Sequence, residues 1–291
     1  MMDILVIGGT RFFGIPMTEA LLRNGHRVTV AVRGSHGNPF GSRVTLLRMD
    51  RTDAESVKSV LSGRKFDCII DKVAYASNDV RTLLQTVKCE RYLQMSSSAV
   101  YPRAHTGITG DEFDPASHPL RWMDRPEDYA EGKRQAERAA LEFLDADACT
   151  FVRYPVVIGA HDYTGRLRFY VQHLCGGMPV RMLHPDVQCA YLNEEDAGRF
   201  LAHLADVPVP GAVNGSCTGM ISQREIFSYL TEKTGMQPVI SADGDPAPYD
   251  GADADTSLDC TRANQTGFRF SALRDRMFPL LDSELARECD K

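Results

Sequence analysis

The apolar run Ile4-Leu5-Val6-Ile7 stops on Gly8-Gly9-Thr10-Arg11-Phe12-Phe13-Gly14, a junction that constrains the fold more than any other stretch. Asp3 to Ile7 reads as a short buried strand of the parallel kind. A helix over about Phe12 to Arg23 follows, with Pro16 early, where its missing N–H costs least, and Asn24-Gly25 as its stop. Gly8 permits the tight turn and Gly14 lets the helix approach the sheet. The N–H groups between them can face a phosphate.

The same alternation continues. Strands are predicted over Val28–Val32, Val44–Leu47, Cys68–Val73 and Arg91–Met95, with helices over Ala54–Leu61 and Asp79–Val87. This pattern implies an α/β fold, a doubly wound parallel sheet with helices on both faces. The strand ending at Met95 delivers Ser96-Ser97-Ser98 at its carboxyl end, where open parallel sheets bind ligands. Arg103 to Asp128, rich in Pro, Gly, Asp and His, reads as a long loop, and such loops are often functional. A helix over about Asp128–Leu144 follows, with Ala136, Ala139, Ala140 and Phe143 on its buried side. Thr150–Val157 is the sixth strand and Ala212–Cys217 another. The 291 residues suit a core of residues 1–160, with 183–236 returning to it, and a smaller lobe of 161–182 and 237–291.

Bulk properties exclude several classes. Hydrophobic residues at 43% and charged ones at 25% describe an ordinary globular chain. A net charge of -6 argues against nucleic acid, whose phosphates select basic surfaces. No apolar stretch approaches a membrane span, and the N-terminal run reads as a strand rather than a signal peptide. Eight cysteines without C-x-x-C spacing suggest buried thiols in a reducing cytosol. Neither they nor the histidines have metal-ligand spacing, so no metal is expected. The five aspartates between Asp243 and Asp255 lack calcium-loop register and read as a solvated acidic loop.

Tyr129 and Lys133 stand four apart on the predicted helix and therefore share a face. A cation beside a phenol favours phenolate, the form a general base needs at a carbinol carbon. Lowering a phenol from about 10 to about 7 takes roughly 4 kcal/mol. A cation about 4 Å away at an effective dielectric near 20 supplies about that. Glycine turn, serine cluster, tyrosine and lysine, in this order, resemble the short-chain dehydrogenase/reductase superfamily and its extended branch, the nucleotide-sugar epimerase/dehydratase type. The form Gly-Gly-Thr-Arg-Phe-x-Gly is similar to a subgroup that also includes chloroplast RNA-binding relatives.

The resemblance implies a Rossmann-type domain 1–160 that binds NAD(P) and a C-terminal substrate-binding lobe. It implies that Ser97, with Ser98 as runner-up, bonds the substrate oxygen, Tyr129 moves the proton, and Lys133 holds the cofactor ribose. It places Gly8, Thr10, Arg11, Phe12 and Gly14 at the dinucleotide's phosphates, Asp50 and Arg51 at adenine, Val73 and Ala74 along ribose and phosphates, and Tyr154 and Val156 at the carboxamide. Arg11 replaces the family's middle glycine. Where NAD-dependent members carry an acidic residue after the second strand, this chain has Val32-Arg33. Arg11 and Arg33 without a carboxylate favour NADP, with NAD possible.

Dehydratases of this type follow the serine with Asp-Glu, whereas Ser98-Ala99 stand here. Hydride transfer at a carbinol or carbonyl carbon remains, as net reduction or as epimerisation, on a sugar or sugar-nucleotide-like substrate. Arg166, Arg168 or Arg181 would bind its phosphates, and Tyr75 and Trp122 are further candidates for the pocket wall. The competing reading is a non-catalytic protein that senses NADP or holds RNA. A cytoplasmic location and a homodimer are expectations from the same resemblance.

Overall fold

The computed structural model describes residues 1–289, Cys289 by its backbone only; Asp290 and Lys291, at the end of the segment assigned to the lobe, lie outside the described residues. In chain order the strands are β1 (Asp3–Ile7), β2 (Arg27–Val32), β3 (Thr45–Arg48), β4 (Lys65–Asp71), β5 (Lys88–Ser97) and β6 (Cys149–Tyr154). Then come β7 (Val156–Ile158), β8 (Val180–Arg181), β9 (Gln188–Cys189), β10 (Tyr191–Asn193), β11 (Gly211–Asn214), β12 (Ile221–Ser222) and β13 (Asp245–Pro246). The helices are α1 (Gly14–Arg23), α2 (Ala54–Leu61), α3 (Ser77–Thr86), α4 (Tyr129–Ala140), α5 (Arg166–Gly176), α6 (Glu194–Asp206), α7 (Gln223–Thr234), α8 (Thr261–Gln265) and α9 (Leu273–Cys289).

Seven strands form one parallel sheet in the order β11-β6-β5-β4-β1-β2-β3. The chain winds outward in opposite directions from the β1–β4 neighbours, so a ligand crevice opens at their carboxyl ends. This is the Rossmann-type arrangement. Two cores flank the sheet. One gathers Val6, Met17, Ile70 and Phe200 beneath α1 and α6; the other gathers Leu5, Ile69, Tyr92 and Ala136 beneath α2, α3 and α4. Ala136, Ala139 and Ala140 are buried, as their spacing predicts.

Two glycines set the close approaches. A Cβ on Gly14 would stand 2.8 Å from the Gly9 carbonyl oxygen, and one on Gly198 would stand 2.6 Å from the Met17 nitrogen. The first seats α1 on the turn after β1, and the second lets α6 lie against α1.

Two sequence expectations are revised. The predicted strand Thr150–Val157 is divided at Pro155, which has no N–H to give a sheet. β6 stays in the central sheet, while β7 turns off to pair with β10. The stretch Asp243–Asp255 is not simply a solvated acidic loop. Asp250 is buried, accepting from Arg181 Nε at 2.9 Å and from the Leu183 N–H, while Asp255 accepts from the Gln188 N–H. The segments assigned to the lobe meet where α5 packs against α9 and β13 pairs with β8.

Candidate active site

Four neighbouring pieces of chain build the site: the turn after β1, the segment after β4, the end of β5, and the first turn of α4. β5 runs to Ser97, whose hydroxyl accepts from the Ala99 N–H at 3.2 Å as a short 3-10 turn begins. Asp128 caps α4 by accepting from the Glu131 N–H at 3.1 Å. The helix therefore starts at Tyr129 and brings Lys133 round to the same face.

Lys133 is fully buried, and its Nζ donates to the carbonyls of Ala74 at 2.7 Å and Met95 at 3.1 Å. Nζ lies 5.8 Å from the centre of the Tyr129 ring and 4.7 Å from that of Tyr75. Burial pushes the Lys133 amine down to about 8, with Asp71 opposing the shift and Arg51 adding to it. Tyr129 is 41% exposed as a residue. Desolvation nevertheless pushes its phenol up to about 12, opposed by the Ser97 hydroxyl and helped by Tyr75 and Tyr249.

The sequence argument expects a depressed phenol; here it is elevated. The reason is desolvation of the phenol, while the Lys133 amine gives hydrogen bonds to two backbone carbonyls. Ser97, Tyr129 and Lys133 are nonetheless brought together, with Tyr75 beside them.

Gly132 makes this possible. A Cβ there would stand 2.5 Å from the Tyr75 carbonyl oxygen and 2.9 Å from Pro126 Cδ. The long loop is fastened to α4 rather than hanging free. Glu131 accepts from Arg121 and from Gln135 Nε2 at 2.9 Å, and lies 3.2 Å from His118 Nε2. Burial would raise the Glu131 carboxyl, but Gln135, Arg121 and His118 together hold it down at about 2.

The turn after β1 fits a dinucleotide phosphate. The N–H groups of Thr10, Arg11, Phe12 and Phe13 donate to no protein acceptor among the described residues. They lie at the N-terminus of α1, where the helix dipole favours an anion. Gly8 has φ +86°, and a Cβ there would stand 2.9 Å from Val73, so the turn presents bare backbone. Phe12 is held at φ 52° despite its side chain.

Other predicted residues are placed differently from the sequence picture. The Arg11 guanidinium stacks on Tyr163, 3.9 Å from the ring centre. The half-buried Arg51 pairs with Asp71 at 2.6 Å and lies 3.5 Å from Asp79. Asp50 is held below the usual carboxylate range by the Thr52 hydroxyl and N–H, with Arg33 contributing. Arg33 itself is exposed just after β2. Ala74 meets Lys133 through its carbonyl. The Tyr154 phenol is buried in the opposite direction, donating to the Ala197 carbonyl at 2.8 Å, and Val156 sits in β7.

The candidate substrate arginines are also spoken for. Arg168 pairs with Glu284 at 3.0 Å and Arg181 with Asp250. Arg166 donates to the Tyr249 hydroxyl at 2.7 Å and pairs with Asp162. A cleft of about 440 Å³ is lined by Thr164, Arg166, Arg168, Phe169, Gln172 and Tyr249. It contains none of the Ser97, Tyr129, Lys133 set, but Tyr249 acts electrostatically on Tyr129 and so links the two. Trp122 packs against Phe143, with Arg81 over its ring, and Ser98 opens the 3-10 turn after β5.

Sequence reasoning missed Lys72 and Tyr249. Lys72 is buried between β4 and the glycine turn, and Tyr249 takes the left-handed conformation at φ 63°. Neither belongs to a motif; only position after a strand, or an aromatic ring among aspartates, marks them.

A parallel sheet whose strand order reverses beside a glycine turn, with Ser97 at the end of β5 and Tyr129 and Lys133 on the adjoining α4, is the fold of the extended short-chain dehydrogenase/reductase type. Residues 4–85 and 75–208 match the NAD dependent epimerase/dehydratase family, and the chain belongs to that family. A curated relative, the chloroplast stem-loop binding protein of 41 kDa b from Arabidopsis thaliana, is 27% identical over 248 residues, covering 79% of this chain. The match spans only 59% of that relative's length. Among solved structures, the UDP-glucuronic acid 4-epimerase of Bacillus cereus, in complex with NAD, is 16% identical with a TM-score of 0.73, covering 97% of this chain and 96% of that one. The UDP-glucose 4-epimerase of Thermotoga maritima, solved with UDP-glucose, is 17% identical with a TM-score of 0.72, covering all of both chains. Among the described residues no helix is long and apolar enough to cross a membrane.

Proposed function

We propose that the protein is an NAD(P)-dependent enzyme that transfers hydride at a carbinol or carbonyl carbon of a sugar or sugar-nucleotide-like substrate, with net reduction favoured over C4-type epimerisation. The observation that carries this reading is the convergence of the Ser97 and Tyr129 hydroxyls above the buried Lys133 amine. In the proposed mechanism Ser97 donates a hydrogen bond to the substrate oxygen and Tyr129 moves the proton on or off it. Lys133, fixed by the Ala74 and Met95 carbonyls, would give its remaining N–H to the cofactor ribose. A nicotinamide dinucleotide, when bound, supplies the ring that gives or takes the hydride. Its phosphates would lie on the N–H groups of Thr10 to Phe13. The elevated phenol suits proton donation in the reductive direction.

The preference for NADP rests on Arg33, exposed just after β2, beside Asp50, whose Oδ1 accepts from Thr52. Arg11, occupied with Tyr163, supports it less than the sequence suggests.

NADPH oxidation against a panel of keto-sugars, for the wild type and Tyr129→Phe, tests the assignment. Removal of a general acid or base is expected to lower turnover about 10²–10⁴-fold. Undiminished turnover in the variant would remove Tyr129 from the mechanism. The second reading, a non-catalytic RNA-binding member, is favoured by the name of the Arabidopsis relative and opposed by the net charge of -6. Retention of stem-loop RNA at moderate salt without any turnover would select it.

A further inference from the structure

Two cations, Lys72 and Arg11, stand at the glycine turn with no ion-pair partner among the described residues. Lys72 follows β4, its backbone N–H donating to the Ile7 carbonyl at 3.2 Å, next to Gly8. Its side chain runs toward the start of α1 and ends with Nζ 4.1 Å from the ring centre of Phe13, the residue capping that helix. The residue is only 8% exposed. Among the described residues Nζ makes no hydrogen bond and no ion pair, in contrast to Lys133 and Arg51. Arg11 is near enough to act on the same amine and likewise has no ion-pair partner there.

A lysine so buried ordinarily has a carboxylate or carbonyl oxygen, because an uncompensated cation is expensive to desolvate. Here the ring contact does not offset the burial. Desolvation, with Arg11 adding, pushes the amine down to about 8. The ring that Nζ meets belongs to Phe13, the residue at the start of α1, where the undonated N–H groups of Thr10 to Phe13 also lie and favour an anion.

We infer that Lys72 is a binding residue for the pyrophosphate of the dinucleotide, supplying from the β4 side the positive charge that the backbone turn supplies from below. This rests on the dinucleotide reading given above. Because Lys72 is unpaired in the fold itself, it is a residue kept for a ligand at the expense of stability. A purely structural lysine would show the reverse.

The test is equilibrium binding of NADPH, followed by its fluorescence, to the wild type, Lys72→Met and Lys72→Arg, with the melting temperature of each. Loss of one charge-assisted contact is expected to weaken binding about ten- to a hundredfold in Lys72→Met. Lys72→Arg is expected to retain most of the affinity, and Lys72→Met to melt higher than the wild type. Wild-type binding with an equal affinity in Lys72→Met would overturn this inference and leave the dinucleotide reading intact. A lower melting temperature in Lys72→Met with unchanged binding would make the residue structural. Failure of the wild type to bind NADPH or NADH would defeat the dinucleotide reading itself, and this inference with it.

Discussion

Glu137 and Arg153 form an ion pair with neither side chain exposed, Arg153 Nη2 lying 2.6 Å from Glu137 Oε2 and Nε 3.0 Å from Oε1. The pair joins α4, two turns beyond Tyr129, to β6. The same guanidinium donates to the carbonyls of Gly110 at 2.8 Å and Phe113 at 3.0 Å, and so fastens the long loop as well. Burial would lower the Arg153 guanidinium, and Glu137 more than offsets it. One side chain thus fixes three elements that frame the active site.

Glu137→Ala leaves that guanidinium buried with only neutral partners. Breaking a buried pair from one side costs about 3–5 kcal/mol. Urea denaturation of Glu137→Ala should show a loss of this size, and replacing both residues by methionine should recover much of it. A loss under about 1 kcal/mol, the value of an exposed pair, would contradict the burial described.

Gly132→Ala sets helix propensity against packing. Alanine in a helix interior gains about 1 kcal/mol over glycine. The added methyl would stand 2.5 Å from the Tyr75 carbonyl oxygen, a backbone atom that cannot swing aside. Overpacking of this kind costs about 1–3 kcal/mol. The variant is expected to melt lower than the wild type and to turn over more slowly, since the displaced segment includes the Ala74 carbonyl that holds Lys133. A higher melting temperature would mean that α4 and the 74–76 segment are not in contact.

What was legible in the sequence followed from local rules. The strand, turn and helix at Ile4 to Arg23 announce themselves through apolar patterning and glycine, and the Tyr129–Lys133 pair through helical spacing. Thr150–Val157 reads as one strand because its residues are apolar around Pro155, which in the fold divides it. What stayed hidden depends on distant partners. Nothing near Lys133 in sequence reveals that the Ala74 and Met95 carbonyls take its hydrogen bonds, and nothing near Tyr129 reveals the desolvation that raises its phenol. Nothing in the predicted strand Cys68–Val73 marks Lys72 as the residue that the fold buries against Phe13, and nothing near Glu137 reveals its pairing with Arg153.

Arg33 offers a test of cofactor choice. Its exposed guanidinium just after β2 makes no ion pair among the described residues, although the nearby Asp50 carboxylate, which accepts from Thr52 through Oδ1, feels its charge. Arg33→Ser should weaken NADPH about ten- to a hundredfold, the value of a charge-assisted hydrogen bond, and leave NADH unchanged. Fluorescence titration with both dinucleotides measures this. Equal losses for the two would assign Arg33 to a part of the cofactor they share, and no loss for either would withdraw the NADP preference.

The burial of Lys72 also predicts a pH dependence of known sign. Its amine falls from the ordinary 10.5 to about 8 in the fold. Below about pH 8 both folded and unfolded chains carry the proton, and the folded chain bears the full cost of the buried cation. Between about 8 and 10.5 the unfolded chain binds the proton more tightly than the folded one, so this contribution to stability rises with pH. Above 10.5 both are neutral and the cost is gone. The gap of about 2.5 pH units corresponds to at most about 3 kcal/mol. Buried thiols such as Cys68, pushed up to about 12 by desolvation, act in the opposite direction, but they are common to wild type and variant and cancel in the difference. Lys72→Met should therefore exceed the wild type in stability most at pH 7, less at pH 9, and little at pH 10.5, as read by urea denaturation at each pH. A difference that stays constant across that range would show that the amine is not desolvated where the fold places it.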